Sequence, residues 1–142
     1  MAEYSYTPEQ IVEVGQNVIL LDTIPCSRGY VIHRNESGIF TLRGIVNSCS
    51  CFARYKVSFG ANISIPEGGT VEPISLAIAI DGEPVLSSRA IVTPAAVDEY
   101  DNIYVSIFVT VAKGCCNTIA VENTSTQDIQ VQNANLIIER VA

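Results

Sequence analysis

The sequence predicts an all-β fold, an antiparallel jelly-roll β-sandwich, from three observations. Apolar and polar residues alternate over long segments, which is the period of a β-strand. Turn signals recur at intervals of about 8 to 12 residues, the spacing typical of sandwiches and barrels. Helix signals are absent from residue 16 onward. A parallel sheet with helical crossovers is therefore excluded.

The clearest alternation lies within residues 53–65. The odd-numbered residues are apolar, and the even-numbered residues are mostly polar or charged. Such a strand has one face in a core and one face in solvent. We expect these residues to be buried: Ala53, Tyr55, Val57, Phe59, Ala61, Ile63 and Ile65.

Two later segments, PISLAIAI (73–80) and NIYVSIFVTV (102–111), carry no charge on either face. The large aliphatic residues share one face of each strand. The opposite face carries small, hydroxyl or aromatic side chains, and such a strand needs a second layer or a second subunit. We interpret the opposite faces as a subunit interface formed by Tyr104, Ser106, Phe108, Thr110, Ser75, Ala77 and Ala79.

The first residues of the chain are predicted to form an arm, residues 1–15, that precedes a jelly-roll domain covering residues 16–142. Thr7 is a candidate N-cap, Pro8 would occupy the first helical position, and Gln10 follows three residues after the cap. This is a capping-box pattern. We expect a single helical turn or a mobile arm that docks on a capsid or another virion protein and is dispensable for folding.

Charge and hydropathy exclude two classes of partner. The formal net charge of −7 opposes binding to a phosphate backbone, so nucleic acid is not an expected partner. No run of about 18 apolar residues is present that could cross a bilayer, so no membrane association is expected. The segment MAEYSYTPEQ lacks the basic and apolar regions of a secretory signal.

Cysteines are the most unusual residues of the chain. Their number is odd, so at least one is unpaired unless it bonds to another chain. Spacings of one and zero disfavour zinc, whereas disulfides and buried thiols both stay open. If Ile119 and Val121 set the inward parity, Cys115 points inward and Cys116 outward. The five cysteines are Cys26, Cys49, Cys51, Cys115 and Cys116.

Catalytic and metal-binding motifs are not found in the sequence. His33 is the only histidine and lies beside a turn, which excludes a histidine-based triad or a multi-histidine metal site within one chain. The acidic segment 98–102 has oxygen ligands for calcium but lacks EF-hand spacing, and acidic residues in a loop between strands are normally just solvated. Nucleotide-binding, hydrolase and metalloprotease motifs are absent. We predict neither an enzyme nor a cofactor or metal.

Four segments together resemble the C-terminal jelly-roll domains of bacterial collagen-like surface glycoproteins, including those of the spore exosporium, and related small phage proteins. The resemblance covers roughly residues 15–142. It implies a fold like that of tumour necrosis factor and the complement globular head, assembled as a tight homotrimer with residues 103–111 near the threefold axis. It implies no catalytic residues, and this chain lacks a Gly-X-Y stalk. The segments are His33–Gly44, Ile65–Val85, Val111–Ser125 and Val131–Val141.

A trimeric jelly roll without a signal peptide suits a phage virion component, such as a head decoration, fibre or tail protein, that reaches the exterior by cell lysis. One alternative is a carbohydrate- or receptor-binding module for surface glycans, with its site in end loops or subunit grooves. The absence of tryptophan makes stacking on sugars harder. A spore or cell-surface structural protein is the other alternative.

Overall fold

A computed structural model describes residues 2–24, 30–33, 38–46 and 49–141. The described residues form two antiparallel β-sheets that pack face to face, which confirms the predicted all-β sandwich. The one helix among them is a 3-10 turn, Leu86–Ser88. The described part of the chain has no helix with the length and apolar character needed to cross a membrane.

Sheet I contains both ends of the described chain. Its strands are β1 (Ala2–Tyr6), β2 (Gln10–Val12), β3 (Asp22–Ile24), β6 (Phe52–Ser64), β10 (Asp101–Ala112) and β12 (Ile129–Arg140). The order is β10-β6-β12-β1-β3, and β2 also pairs with β12. The two long strands β6 and β10 stay in register over their whole paired length. β10 is therefore an edge strand whose pairing with β6 has no bulge.

Sheet II contains the shorter strands. They are β4 (Val31–His33), β5 (Phe40–Arg43), β7 (Ile74–Ile80), β8 (Glu83–Pro84), β9 (Ala90–Val92) and β11 (Cys116–Asn123). The order is β4-β5-β11-β7-β8, and β9 also pairs with β7. Both β8 and β9 are therefore neighbours of β7 within its own chain.

The core lies between the sheets and follows the predicted alternation. All seven odd-numbered residues from 53 to 65 are buried, as are Ile103, Val109 and Val111 on β10. Burial of each large apolar side chain stabilises the fold by about 1.5–3 kcal/mol. The Tyr55 hydroxyl crosses the core and donates a hydrogen bond to the carbonyl of Arg43, 2.6 Å away. This bond ties β6 of sheet I to β5 of sheet II.

The N-terminal segment belongs to sheet I and is not a separate arm. β1 lies between β12 and β3, and β2 continues along the same edge of β12. The predicted helical turn is wrong, because residues 10–12 pair as a strand and bury Val12. Pro8 and a bulge in β12 at Asn133 interrupt the pairing, and the Asn133 N–H donates to the carbonyl of Thr7. Proline lacks the N–H that an uninterrupted ladder requires.

Candidate functional site

The outer side of β10 carries two aromatic side chains that the single chain leaves exposed. Tyr104 is 65% exposed and Phe108 is 52% exposed. Ser106 and Thr110 are exposed on the same side, because even-numbered residues of β10 point away from the core. The four β10 residues predicted at a subunit interface thus share one solvent-facing surface. We call this surface, with the adjoining outer side of β6, the outer aromatic face.

Small side chains separate the two rings. Tyr104 pairs with Gly60 of β6, and a Cβ atom on Gly60 would lie 3.6 Å from Cδ2 of Tyr104. The Tyr104 ring therefore lies over the glycine backbone. Next along the ladder, the hydroxyls of Ser58 and Ser106 are hydrogen-bonded at 3.1 Å. The middle of the face carries only small, uncharged side chains, so another surface can approach it closely.

Positive charge borders the face at Phe108. The guanidinium carbon of Arg54 lies 4.4 Å from the centroid of the Phe108 ring, the geometry of a cation–π contact. Lys56 is the β6 residue directly opposite Phe108 in the ladder. The Phe108 ring is therefore held in place on the strand by a neighbouring cation.

The other three predicted interface residues are not available to a partner. Ser75, Ala77 and Ala79 lie on β7 of sheet II, and their exposed fractions are 1%, 0% and 2%. The Ser75 N–H donates to Oγ of Ser125 at 2.7 Å, and Nε of Arg89 donates to Oγ of Ser75 at 3.1 Å. The prediction is wrong for these residues because the chain itself covers β7.

Four of the five cysteines lie within the described residues and are free and exposed: Cys49, Cys51, Cys115 and Cys116. Cys26 lies outside the described residues. The prediction that Cys115 is shielded is wrong. β11 begins at Cys116, so Cys115 occupies the preceding turn, where strand parity does not apply. Ile119 and Val121 point inward as expected.

His33 is part of an aromatic cluster, not a simple surface residue of a turn. Its ring stacks on Phe40 with centroids 4.4 Å apart and meets the edge of Tyr4 at 4.9 Å. Tyr4 comes from β1 of sheet I, whereas His33 and Phe40 come from sheet II. The cluster therefore joins the two sheets at the edge where β3 and β4 lie.

An open cleft of about 650 Å³ lies at one end of the sandwich. It is formed where the β1–β2, β6–β7, β9–β10 and β11–β12 connections meet, each of which contributes one carboxylate. The described residues that line it include no lysine or arginine. The polar side chains of the lining are Glu9, Glu67, Asp98, Tyr100, Asp128 and Gln130.

The cleft is not the calcium loop considered from the sequence. Asp98 lines the cleft, but Asp101 and Asn102 are already part of β10. Within the described residues, no group of three or more His, Cys, Asp or Glu is placed to hold a metal ion. Sequence reasoning missed the cleft because its four carboxylates are far apart in the chain and no local motif links them.

Tyr100 is expected to ionise at a higher pH than an ordinary tyrosine. Burial, followed by the hydrogen bond that its hydroxyl donates to Oε1 of Glu9, raises its pKa to about 12. The folded state holds this proton more tightly than the unfolded state. The resulting stability is therefore present below pH 10 and is lost as the pH rises to about 12. In an ultraviolet titration, Tyr100→Phe should reduce the amplitude of the step near pH 12 by one tyrosine, and Tyr104→Phe should leave that amplitude unchanged. A step near pH 12 of unchanged amplitude in Tyr100→Phe would contradict this assignment.

No protein-family model and no curated protein matches the chain. Among solved structures, the globular domain of a zebrafish complement 1qA protein is similar, with a TM-score of 0.54 and 13% identity over 96% of this chain and 94% of that one. The C-terminal domain of EclA, described as a sugar-binding protein, gives a TM-score of 0.42 and 16% identity, with 94% and 80% coverage. A family 35 carbohydrate-binding module from Clostridium thermocellum gives 0.38 and 14%, with 95% and 97% coverage. At these identities the likeness concerns the fold alone. It confirms a jelly-roll sandwich similar to the complement globular domain.

Proposed function

We propose that this chain is a non-enzymatic structural module that assembles as a homotrimer through the outer aromatic face. The observation that carries the proposal is the pair of exposed rings, Tyr104 and Phe108, on a regular edge strand. Aromatic side chains are enriched in the cores of protein interfaces. The sequence resemblance supports the same arrangement, because it implies that β10 lies near a threefold axis.

The surroundings of β10 suit a closed assembly. Ile137 of β12 is opposite Ser58 of β6, so a half-buried aliphatic side chain extends the face beyond the two rings. Association through this face would remove both exposed rings from water. A threefold arrangement uses the same heterologous contact three times and leaves no unpaired copy.

Light scattering of the purified chain tests the assembly. We expect a particle of three times the chain mass of 15.3 kDa. A mass that stays at 15.3 kDa across the micromolar range would refute the trimer.

The more specific role that we propose is that of a virion component, such as a head decoration, fibre or tail protein. The sequence resemblance to small phage proteins supports this role. Attachment would not use a free tether, because the backbone of β1 and β2 is paired in sheet I. The exposed side chains of Ile11 and Val14 remain available in this segment. Immunogold electron microscopy of purified particles tests the role, and labelling of bacterial surfaces or spores would favour the other structural alternative.

The cleft favours a second candidate function, the binding of surface glycans. Carboxylates accept hydrogen bonds from sugar hydroxyls, and four of them line this opening beside Tyr100. Screening the wild type against a glycan array, with Asp98→Asn as the cleft variant and the exposed Glu83→Gln as the charge-matched control outside the cleft, tests this function. Binding that the cleft variant loses and the control keeps would support it. An array without signal would contradict it.

A further inference from the structure

Four exposed thiols lie at the end of the sandwich opposite to the cleft. Cys49 and Cys51 precede β6, whereas Cys115 and Cys116 follow β10 at its turn into β11. The start of β6 pairs with the end of β10, so the two cysteine segments are brought to the same end of sheet I. The proposed trimer does not involve these thiols.

Backbone hydrogen bonds bring Cys51 and Cys115 to the same turn of the fold, the one that follows β10. The N–H of Lys113 donates to the carbonyl of Cys51 at 2.9 Å, which extends the β6–β10 ladder beyond its last regular pair. The N–H of Cys115 donates to the carbonyl of Ala112 at 3.0 Å and closes a tight turn. Gly114 makes this turn possible with a φ of +77°. Cys51 is thus one ladder step from the turn that holds Cys115.

The two residues also lie beside the same connection between the sheets. Cys51 lies in the bend just before β6 of sheet I, where its carbonyl accepts from the N–H of Lys113, two residues before Cys115. Cys115 is held at sheet II by the Gly44 N–H, which donates to its carbonyl at 2.8 Å. Cys116 has the outward parity of β11 and therefore points away from sheet I.

We propose that Cys51 and Cys115 form an intramolecular disulfide in oxidising surroundings. The oxidant is a low-molecular-weight disulfide. One cysteine thiolate attacks it, forms a mixed disulfide and releases one small thiol. The second cysteine thiolate attacks the mixed disulfide and releases the second small thiol. The two protein thiols lose two electrons, which the small disulfide takes up, and their two protons pass to solvent or to the released thiolates.

The bond would join the start of β6 to the turn between the sheets and close a long loop. Constraining a loop in the unfolded chain raises the thermal midpoint. We expect the oxidised chain to melt about 10 °C above the chain kept in dithiothreitol.

Peptide mapping tests the pairing directly. The full chain is incubated with oxidised glutathione, alkylated without reduction, and digested with trypsin. Cleavage after Arg43, Arg54, Lys113 and Arg140 yields peptides 44–54 and 114–140, each with two cysteines. We expect these two peptides to be joined, at a yield that falls at least tenfold in Cys51→Ser and in Cys115→Ser. The matched variants Cys49→Ser and Cys116→Ser should keep the link.

Each other outcome overturns the proposal. A link that survives Cys51→Ser or Cys115→Ser assigns the bond to a neighbour, and a link to peptide 1–28 assigns it to Cys26. Disulfide-linked dimers or trimers on a non-reducing gel would place the bond between chains. Alkylation of all five cysteines after oxidation would show that no bond forms. Circular dichroism of each serine variant verifies that it is folded before mapping.

Discussion

Phe108→Asp is expected to convert the proposed trimer into folded monomers. At a threefold interface this change would bring three carboxylates together in surroundings that water does not reach, which is strongly unfavourable. Arg54 could pair with the new carboxylate, but that ion pair would also have to lose its hydration. In the separate subunit the same pair stays exposed, so the fold should be retained. We expect a loss of about 2 kcal/mol or more per subunit, which is roughly thirtyfold in affinity for each contact. Light scattering should show the mass falling to one third.

Ile32→Asp is the matched control for this experiment. Ile32 is 51% exposed, close to the 52% of Phe108, but it lies on β4 of sheet II, on the other side of the sandwich. This variant should remain trimeric at the same concentration. If Phe108→Asp stays trimeric, the outer aromatic face is not the interface. If both variants dissociate, the loss reflects general destabilisation of the subunit.

The sandwich could be predicted because β6 alternates without interruption. Every predicted core residue from Ala53 to Ile65 is buried, and β10 places Tyr104 and Phe108 outward as expected. In a long strand, one period-two pattern fixes the direction of every side chain, because a slip by one residue would expose the whole apolar set. The outer aromatic face follows from the same pattern.

The sequence pattern did not predict correctly what covers strand β7. Its two uncharged faces correctly indicated that both sides are covered, but composition does not tell a second subunit from the rest of the same chain. Here the hydroxyls of Thr124 and Ser125 and the side chain of Arg89 meet Ser75, and β8 and β9 pair along one edge. The chain itself provides the layer that the sequence interpretation assigned to a partner.

The N-terminal strands and the cleft could not be predicted from local sequence patterns. β1 alternates over only five residues, too few for a periodic signal, and the Thr7 to Gln10 pattern also occurs at helix starts. Pairing with β12 decides the conformation, and β12 lies more than a hundred residues away in sequence. The carboxylates of the cleft are likewise brought together by the fold alone.

A chain that begins at Gln16 is expected to lose its cooperative thermal transition. Removal of residues 1–15 deletes β1 from between β12 and β3 and also deletes β2. The ladder groups of β12 would lose their partners, and the buried side chains of Ala2, Tyr4 and Val12 would be gone from the core. If β1 is an integral strand of the sheet, as its pairing shows, these losses together exceed the typical stability of a domain, which is about 5–15 kcal/mol. Differential scanning calorimetry measures the transition directly.

The truncation also shortens the chain, so point variants are needed to test the packing of β1 alone. Tyr4 and Tyr104 provide such a pair of variants. Both lie in sheet I, but Tyr4 is 2% exposed and contacts His33 and Phe40, whereas Tyr104 is 65% exposed. Tyr4→Ser should lower the free energy of unfolding by about 3–5 kcal/mol, as expected when a buried aromatic side chain is truncated. Tyr104→Ser should change the stability of the subunit by less than about 1 kcal/mol, since it removes no core contact. Urea unfolding in the Phe108→Asp background measures both values on monomers. Equal effects of the two serine variants, or a truncated chain that keeps a sharp transition, would show that the N-terminal strand is dispensable.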